Sequence, residues 1–512
     1  MGDTNTSIIG ERGRWFWLGC ALISVGVLLH LPMLAMAHRM GSHFSQMPTD
    51  PEMLVGMAAI ALGVPLACWG AVPARHPRHA DSAGTDYEAR DDLPLNRWHV
   101  AVLLVLTLGL VIDVMKPATL GFVLPGLRAE YGITQSTAAL LPLVALTGTT
   151  VGSLLWGWLA DVYGRRVSIL LSTILFAATA ICGAMPTFGW NLVMCFLMGS
   201  SAGGMLPVVY TLLTEVMPPR HRSWVLVLVG GFGLVGGYLA ASGAAHAFEP
   251  TYGWRVLWLQ GFPTGLLLLA LARFIPETPR FLAEQGRTAE LQRMQRRFGL
   301  ESRPRAAAPA DLPSPSGHRQ LNAALIVTAL CWSLVNFGLL LWLPSDLRTR
   351  GFSADIATGI LAKSSLLALP TVAIAALCYA RLSSKWTLVA TILVTLVGLV
   401  GALLPASLLS FQPLLITVIA LLIVGTNGTI AVLLPYAAEN TTLGRRGRAT
   451  GLVAGSSKFG GVAVQVAALA GFIPTLVGAA VTLIIPTAIT AGMIAWLGRE
   501  TRGRTLGELE AG

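Results

Sequence analysis

Charge is scarce in this chain. Of its 512 residues only 12% are Asp, Glu, Lys or Arg, and lysine supplies just four of these against thirty-one arginines. Soluble domains carry about 25% charged residues, so an ordinary water-facing surface is excluded. Cysteine is sparse too. Cys20, Cys68, Cys182, Cys195, Cys331 and Cys378 all fall inside apolar runs, without the spacing of a disulfide framework or a zinc site, which leaves them as small buried apolar side chains. No nucleotide motif, phosphate-binding loop or catalytic triad stands out, so neither an enzyme nor an ATP-driven pump is indicated, and no cofactor is expected. What fills the chain is hydrocarbon: 54% apolar residues and a mean hydropathy of +0.68.

A bilayer core needs roughly 20 consecutive apolar residues per helix. Fourteen stretches qualify, near 15–37, 52–73, 99–125, 137–160, 167–185, 191–213, 223–246, 255–275, 321–343, 354–379, 386–406, 411–436, 449–472 and 475–497. The expected fold class is an all-α polytopic membrane protein whose partner is the lipid bilayer. Arg12 and Arg14 precede a first run that ends in Ala35-Met36-Ala37, which mimics a signal-peptide processing site. Its length favours a retained helix. Basic residues gather in alternate loops: Arg165 and Arg166, Arg220 and Arg222, Arg273 to Arg305, Arg381 and Lys385, Arg445 to Arg448, and Arg499 to Arg504. This positive-inside pattern puts those loops and both termini in the cytoplasm, and it accounts for the net charge of +10 without nucleic-acid binding.

The densest motif is GWLADVYGRR, from Gly157 to Arg166, a short turn between two spans that packs an acid beside an arginine pair. The chain also repeats itself. Glu215 precedes Arg222 by seven residues and Glu439 precedes Arg446 by seven, at an offset of 224; Glu277-Thr278 and Glu500-Thr501 repeat at 223. Two six-helix halves at one offset describe a duplicated carrier. The expected organisation is 1–73, two accessory helices; 74–98, a polar linker; 99–275, the first bundle; 276–320, a helix over Thr278 to Phe298 and a flexible tether; 321–497, the second bundle; and 498–512, a tail.

The turn resembles the signature loop of the major facilitator superfamily, G-x-x-x-D-x-x-G-R-R. Gly157, Asp161, Gly164, Arg165 and Arg166 match, with small Ala160 before the acid. GWR at Gly253–Arg255, PETPRFLAEQGR from Pro276, ETRGRTLGELE from Glu500, and the stretch Leu197 to Arg222 are similar to the sugar-porter and aromatic-acid/proton symporter branches. The resemblance implies secondary active transport of a small solute by two bundles around a central cavity. It also implies a cytoplasmic gate: Asp161 with Arg165, Glu215 with Arg222, Glu277 with Arg280, and Glu439 with Arg446, the signature acid lying against a helix N-terminus of the other half. Two departures stand out. Cys195 occupies the place of an arginine commonly linked to proton coupling, and Lys385 that of the second signature acid.

Three of the four lysines, Lys116, Lys363 and Lys458, fall near the middle of spans, where each costs about 2.5–3.5 kcal/mol unless it lines a cavity or meets an opposite charge. Asp113 shares a helix face with Lys116 and is the candidate proton carrier; the two could also simply neutralise each other. Unpaired cavity lysines suit an anionic substrate, with Asn336, Asn427, Gln260 and Gln465 available to orient it or to bond neighbouring helices. The function expected is proton-coupled symport of an organic anion. Export of drugs or metabolites by proton antiport uses the same fold. A third reading comes from the N-terminal pair, where His30, Met33, Met36, His38, Met40 and His43 offer thioether and imidazole ligands suited to Cu(I) and hence a metal-handling transporter or sensor. Packing explains the same methionines.

Overall fold

The computed structural model describes residues 12–40, 50–72, 85–90, 93–304, 316–440, 446–473 and 475–501. Thirteen helices among them are long and apolar enough to cross a membrane: α1 (Gly13–Met36), α2 (Pro51–Ala71), α3 (Arg97–Tyr131), α4 (Gln135–Tyr163), α5 (Arg165–Ala184), α6 (Phe188–Val216), α7 (Pro219–Tyr252), α10 (Arg319–Thr349), α11 (Ala354–Arg381), α12 (Ser384–Gly401), α13 (Gln412–Glu439), α14 (Gly451–Leu469) and α15 (Leu476–Leu497). A further apolar helix, α8 (Val256–Leu271), is shorter. The helix α9 (Thr288–Phe298) buries Leu291, Met294 and Phe298 on one face and exposes Arg293, Arg296 and Arg297 on the other.

Local chemistry sets the helix starts. Asp50 accepts from the Glu52 N–H ahead of α2, and Asn96 and His99 form a reciprocal capping box at the head of α3. Ser353, Ser383 and Thr475 accept backbone N–H groups at α11, α12 and α15. Each such cap is worth about 1 kcal/mol, so the ends are specified by sequence while lipid and packing supply the rest.

Helices α3–α8 pack as one bundle and α10–α15 as a second. The bundles meet where α7 lies against α11 and α4 against α14. Because α4 and α11 are the second helices of their halves, and α7 and α14 the fifth, exchanging the halves turns one contact into the other. The bundle end that carries Gly157–Arg166 is called the signature end below, and the opposite end the far end.

The accessory pair is held by glycines seven residues apart. Gly19 and Gly26 of α1 lie against Gly56, Gly63 and Gly70 of α2, so close that a Cβ on Gly63 would stand 2.9 Å from the Gly19 carbonyl oxygen and one on Gly70 2.2 Å from the Phe16 nitrogen. Small residues let helix backbones approach in lipid, where no hydrophobic force drives them together. The hairpin then seats on the first bundle through Leu170, Leu171, Ile174 and Ala178 of α5. Gly63→Leu is expected to pry α1 from α2 and to lower stability by about 1–3 kcal/mol, measured as thermal unfolding of the detergent-purified protein.

Two expectations need correction. The helix foreseen over Thr278 to Phe298 is two helices, Pro279–Glu284 and α9, because Gly286 adopts φ +65° between them. The stretches read as linker and tether contain strands: β1 (Thr85–Ala89) pairs antiparallel with β2 (Leu300–Pro304), Ala89 opposite Leu300. Five residues whose partners lie 211 to 219 positions away have no pattern of their own to betray them. Of the six candidate copper ligands, three have described side chains. His30 is fully buried with Nδ1 on the Gly26 carbonyl (2.7 Å), Met33 packs with Met53 and Ala184, and Met36 is exposed. The side chains of His38 and Met40, and all of His43, lie outside the described residues.

Candidate functional site

At the signature end the chain must turn from α4 into α5 within one residue, and Gly164 does so at φ +101°. The turn exposes the first N–H groups of α5, and Glu277 covers them. Its carboxylate accepts from the N–H of Arg165 (2.7 Å) and Arg166 (3.2 Å), and from that of Thr278 (3.2 Å). A helix N-terminus favours an anion through free donors and its dipole. Burial pushes the Glu277 carboxyl up from the ordinary carboxylate range, while those N–H donors and Arg165 pull it back. A Cβ at Gly164 would lie 2.4 Å from Glu277 Oε2, so only glycine fits.

The second half repeats this cap with different residues. Glu500 accepts from the Ser384 N–H (2.9 Å) and hydroxyl (2.7 Å), and from the Ser383 hydroxyl, at the N-terminus of α12. Glu215 lies close to Arg165, Glu277 and Arg280, and its counterpart Glu439 accepts from Thr501 Oγ1 at 2.6 Å and from the Tyr379 hydroxyl at 2.7 Å. The offset seen in the sequence is therefore a repeated acid cap on the N-terminus of the third helix of each half.

The partners foreseen for these acids differ in detail. Asp161 does pair with Arg165, at 3.3 Å, but its side chain is 73% exposed and the contact stays within its own half. Arg280 bonds Glu284 at 3.1 Å rather than Glu277, whose oxygens are committed to backbone donors. Arg222 reaches Glu88 of β1 at 3.5 Å, a partner that exists only because the ribbon forms. The side chain of Arg446 lies outside the described residues. Gly157 has open space where its Cβ would be.

Deeper between the halves, Asp113 of α3 and Lys458 of α14 interact electrostatically across the seam, beyond direct ion-pair contact. Asp113 is 9% exposed and Lys458 half-buried. The wall beside Lys458 is irregular. Helix α10 widens into a π-helical stretch, Leu334–Leu340, that carries Asn336 and Phe337; such stretches gather at functional sites. Phe337 meets Gly461 of α14 and packs edge-on against Trp332 at 5.9 Å. Ser333 donates to the Ser457 carbonyl, one residue before Lys458. Asn427 is buried and donates to Ile423 of its own helix at 3.0 Å, while Asn336 is half-buried. Gln465 donates to the Phe337 carbonyl and Gln260 to Thr119, so both glutamines tie helices together.

A family model described as Major Facilitator Superfamily matches residues 106–464. The chain belongs to the major facilitator superfamily. It is a multi-pass membrane transporter and not an enzyme. It is 26% identical over 443 residues to the niacin transporter of Acinetobacter baylyi, covering 81% of this chain and 97% of that protein. To the 4-hydroxybenzoate transporter of the same organism it is 28% identical over 230 residues, 42% of this chain and 49% of the relative. The xylose transporter of Escherichia coli in a partially occluded inward-open conformation superposes with a TM-score of 0.61 at 15% identity, over 80% of this chain and all of that one.

Within the transporter, two of the mid-span lysines lie away from the seam. Lys116 is fully buried inside the first bundle, donating to the Phe176 carbonyl and to Thr179 Oγ1 (2.6 Å), with Nζ 4.3 Å from the centre of the Phe176 ring and Cys182 and Cys195 nearby. It is therefore satisfied by its own half rather than by Asp113 one turn away. Lys363 is exposed on the same face of α11 as Leu366, Leu367, Ile374 and Leu377, a lipid-side stripe from which its long stem must snorkel. Sequence reasoning missed a buried strut at the far end. Arg255 of the GWR motif bonds Glu130 at 2.7 Å, the Gly183 carbonyl at 2.7 Å and the Tyr131 hydroxyl at 3.0 Å, while Trp254 donates to Glu130 at 3.0 Å. The GWR triplet was the available signal; its acid lies 125 residues upstream.

Proposed function

We propose that this transporter takes up a small ring-bearing carboxylate together with a proton, by alternating access between its two halves. The observation that carries the reading is the placement of Asp113 and Lys458, a buried acid of the first bundle and a half-buried lysine of the second, close enough for each to feel the other's charge. Lysine at that depth is costly and is eased by a nearby negative charge, which Asp113 supplies at rest. A substrate carboxylate competes for Lys458. Asp113 is then left ionised without a countercharge in a poorly hydrated place, a cost of several kcal/mol that a proton removes. Anion and proton therefore bind together. On the side where protons are scarce, Asp113 ionises again, returns to Lys458 and displaces the substrate.

Two further facts support this reading. The names of the relatives, niacin and 4-hydroxybenzoate transporters, both specify a carboxylate on an aromatic ring, and Phe337, with Trp332 edge-on against it, lies beside Gly461, one helical turn from Lys458. The arginine-rich loops favour a cytoplasmic signature end and cytoplasmic termini, in a bacterial inner membrane as the bacterial relatives suggest. Parallel six-helix repeats fit rocking about a fixed midplane site. The acid caps Glu277 and Glu500 keep α5 and α12 rigid at the cytoplasmic end while Asp161 and Arg165 serve the gate.

Uptake into proteoliposomes of labelled niacin, 4-hydroxybenzoate, nicotinamide and an organic cation, with and without an inward proton gradient, tests this. The two carboxylates are expected to accumulate at least about tenfold more with the gradient. In Asp113→Asn, exchange of internal for external niacin is expected to survive while gradient-driven accumulation disappears. Preference for the cation, or accumulation indifferent to the gradient, contradicts the proposal.

A further inference from the structure

The far end carries two kinds of polar pair, and they differ in what they join. Some pairs stay within a half. Arg255 and Glu130 tie the start of α8 to the end of α3, with side chains 8% and 10% exposed. In the second half Asp346, at the end of α10, accepts from the Leu476 N–H at the start of α15 (3.3 Å) and from Arg350 at 2.7 Å. These are equivalent places in the repeat, the end of the first helix bound to the start of the sixth, so each half owns a strut that travels with it.

Two other pairs cross between the halves. Glu249, one turn before the end of α7, lies 3.6 Å from Arg348 near the end of α10, and His246, one turn earlier on the same face, lies 3.1 Å from Asp355 at the start of α11. Their environments rank them. His246 and Asp355 are 45% and 62% exposed, and polar pairs open to water contribute little. The Glu249 side chain is only 8% exposed and that of Arg348 36%, so separating them strands an acid with little water around it, which costs more.

We propose that Glu249 and Arg348 form the bolt of the far-end gate, with His246 and Asp355 as its outer, weaker latch. This rests on the alternating-access reading and adds the residues that hold one of its states. Rocking the halves to open the far end must break both cross-half pairs, while the Glu130–Arg255 and Asp346–Leu476 struts keep the ends of each bundle intact as it swings. Breaking the bolt by mutation therefore shifts the population toward the far-end-open state without damaging either bundle.

The test is a distance across the gate. Spin labels are placed at Thr251→Cys, at the end of α7, and Ile356→Cys, at the start of α11, in the full chain with its six natural cysteines replaced, and the distance distribution is read by pulsed EPR in nanodiscs. Glu249→Gln is expected to raise the ratio of long to short distances about tenfold. The exchange Glu249→Arg with Arg348→Glu is expected to return it to the wild-type ratio, which a merely local packing role would not do. A distribution unchanged by Glu249→Gln, or one that the exchange fails to restore, overturns the bolt. The readout needs no substrate, so a wild-type protein that carries no carboxylate refutes the transport reading while leaving this result to stand or fall separately.

Discussion

Lys458→Met is expected to reduce niacin uptake at least about a hundredfold while leaving any residual passage of nicotinamide, the neutral amide with the same ring, unchanged. Methionine keeps most of the lysine's apolar stem, so α14 still packs through Val453 and Gly461; what disappears is the positive end. Truncating one member of a desolvated charge pair costs about 3–5 kcal/mol, and each 1.4 kcal/mol is a factor of ten, so a loss of two to three decades follows. The substitution also deprives Asp113 of its partner at rest. Lys458→Met with Asp113→Asn is therefore expected to be more stable than Lys458→Met alone, yet equally inactive. Initial rates of labelled niacin uptake, alongside thermal unfolding of the same purified variants, measure both halves of this expectation.

Gly164→Val is the second large effect, and it acts on folding. A β-branched residue at φ +101° and ψ +158° sits in an essentially glycine-only region that costs roughly 1–3 kcal/mol. Its Cβ also stands 2.4 Å from the Glu277 carboxylate. Displacing Glu277 leaves the first donors of α5 uncovered, a cap worth about 0.5–2 kcal/mol, and forfeits its interaction with the helix dipole, up to about 2 kcal/mol when partly buried. Together these amount to a loss of about 3–5 kcal/mol, enough to deplete the protein from membranes. Glu277→Ala removes the cap without the strain and is expected to cost about half as much. Thermal unfolding in detergent, with membrane protein level as a second readout, separates the two; equal stability of Gly164→Val and wild type contradicts the capping geometry.

The spans and the repeat were legible because both are local or periodic: apolar length marks a helix, and a shared offset marks a duplication. The signature loop was legible because its five fixed residues lie within ten positions. Partners were legible only when close in sequence, as for Asp161 and Arg165. Glu277 looked like a mate for Arg280 because side-chain charge is visible in sequence, whereas the backbone N–H groups of Arg165 and Arg166, 112 and 111 residues away, carry no letter of their own. Lys116 is the same case: its acceptors, the Phe176 carbonyl and Thr179, come from α5. Lys363 was readable in principle. Leu366, Leu367, Ile374 and Leu377 follow it at helical spacing with no polar residue on that face, which marks a lipid stripe rather than a cavity. Lys458 offered no such clue, since its countercharge belongs to the other half.

The measurement that bears most directly on the central claim is the number of protons taken up when an anion binds. In lightly buffered detergent solution near pH 7, saturating wild-type protein with niacin should bind close to one proton per anion, because the substrate carboxylate takes Lys458 and Asp113 is neutralised. Asp113→Asn should bind none. Anion binding without proton uptake in the wild type, or undiminished uptake in Asp113→Asn, would contradict the competition of two carboxylates for one lysine on which the account is built.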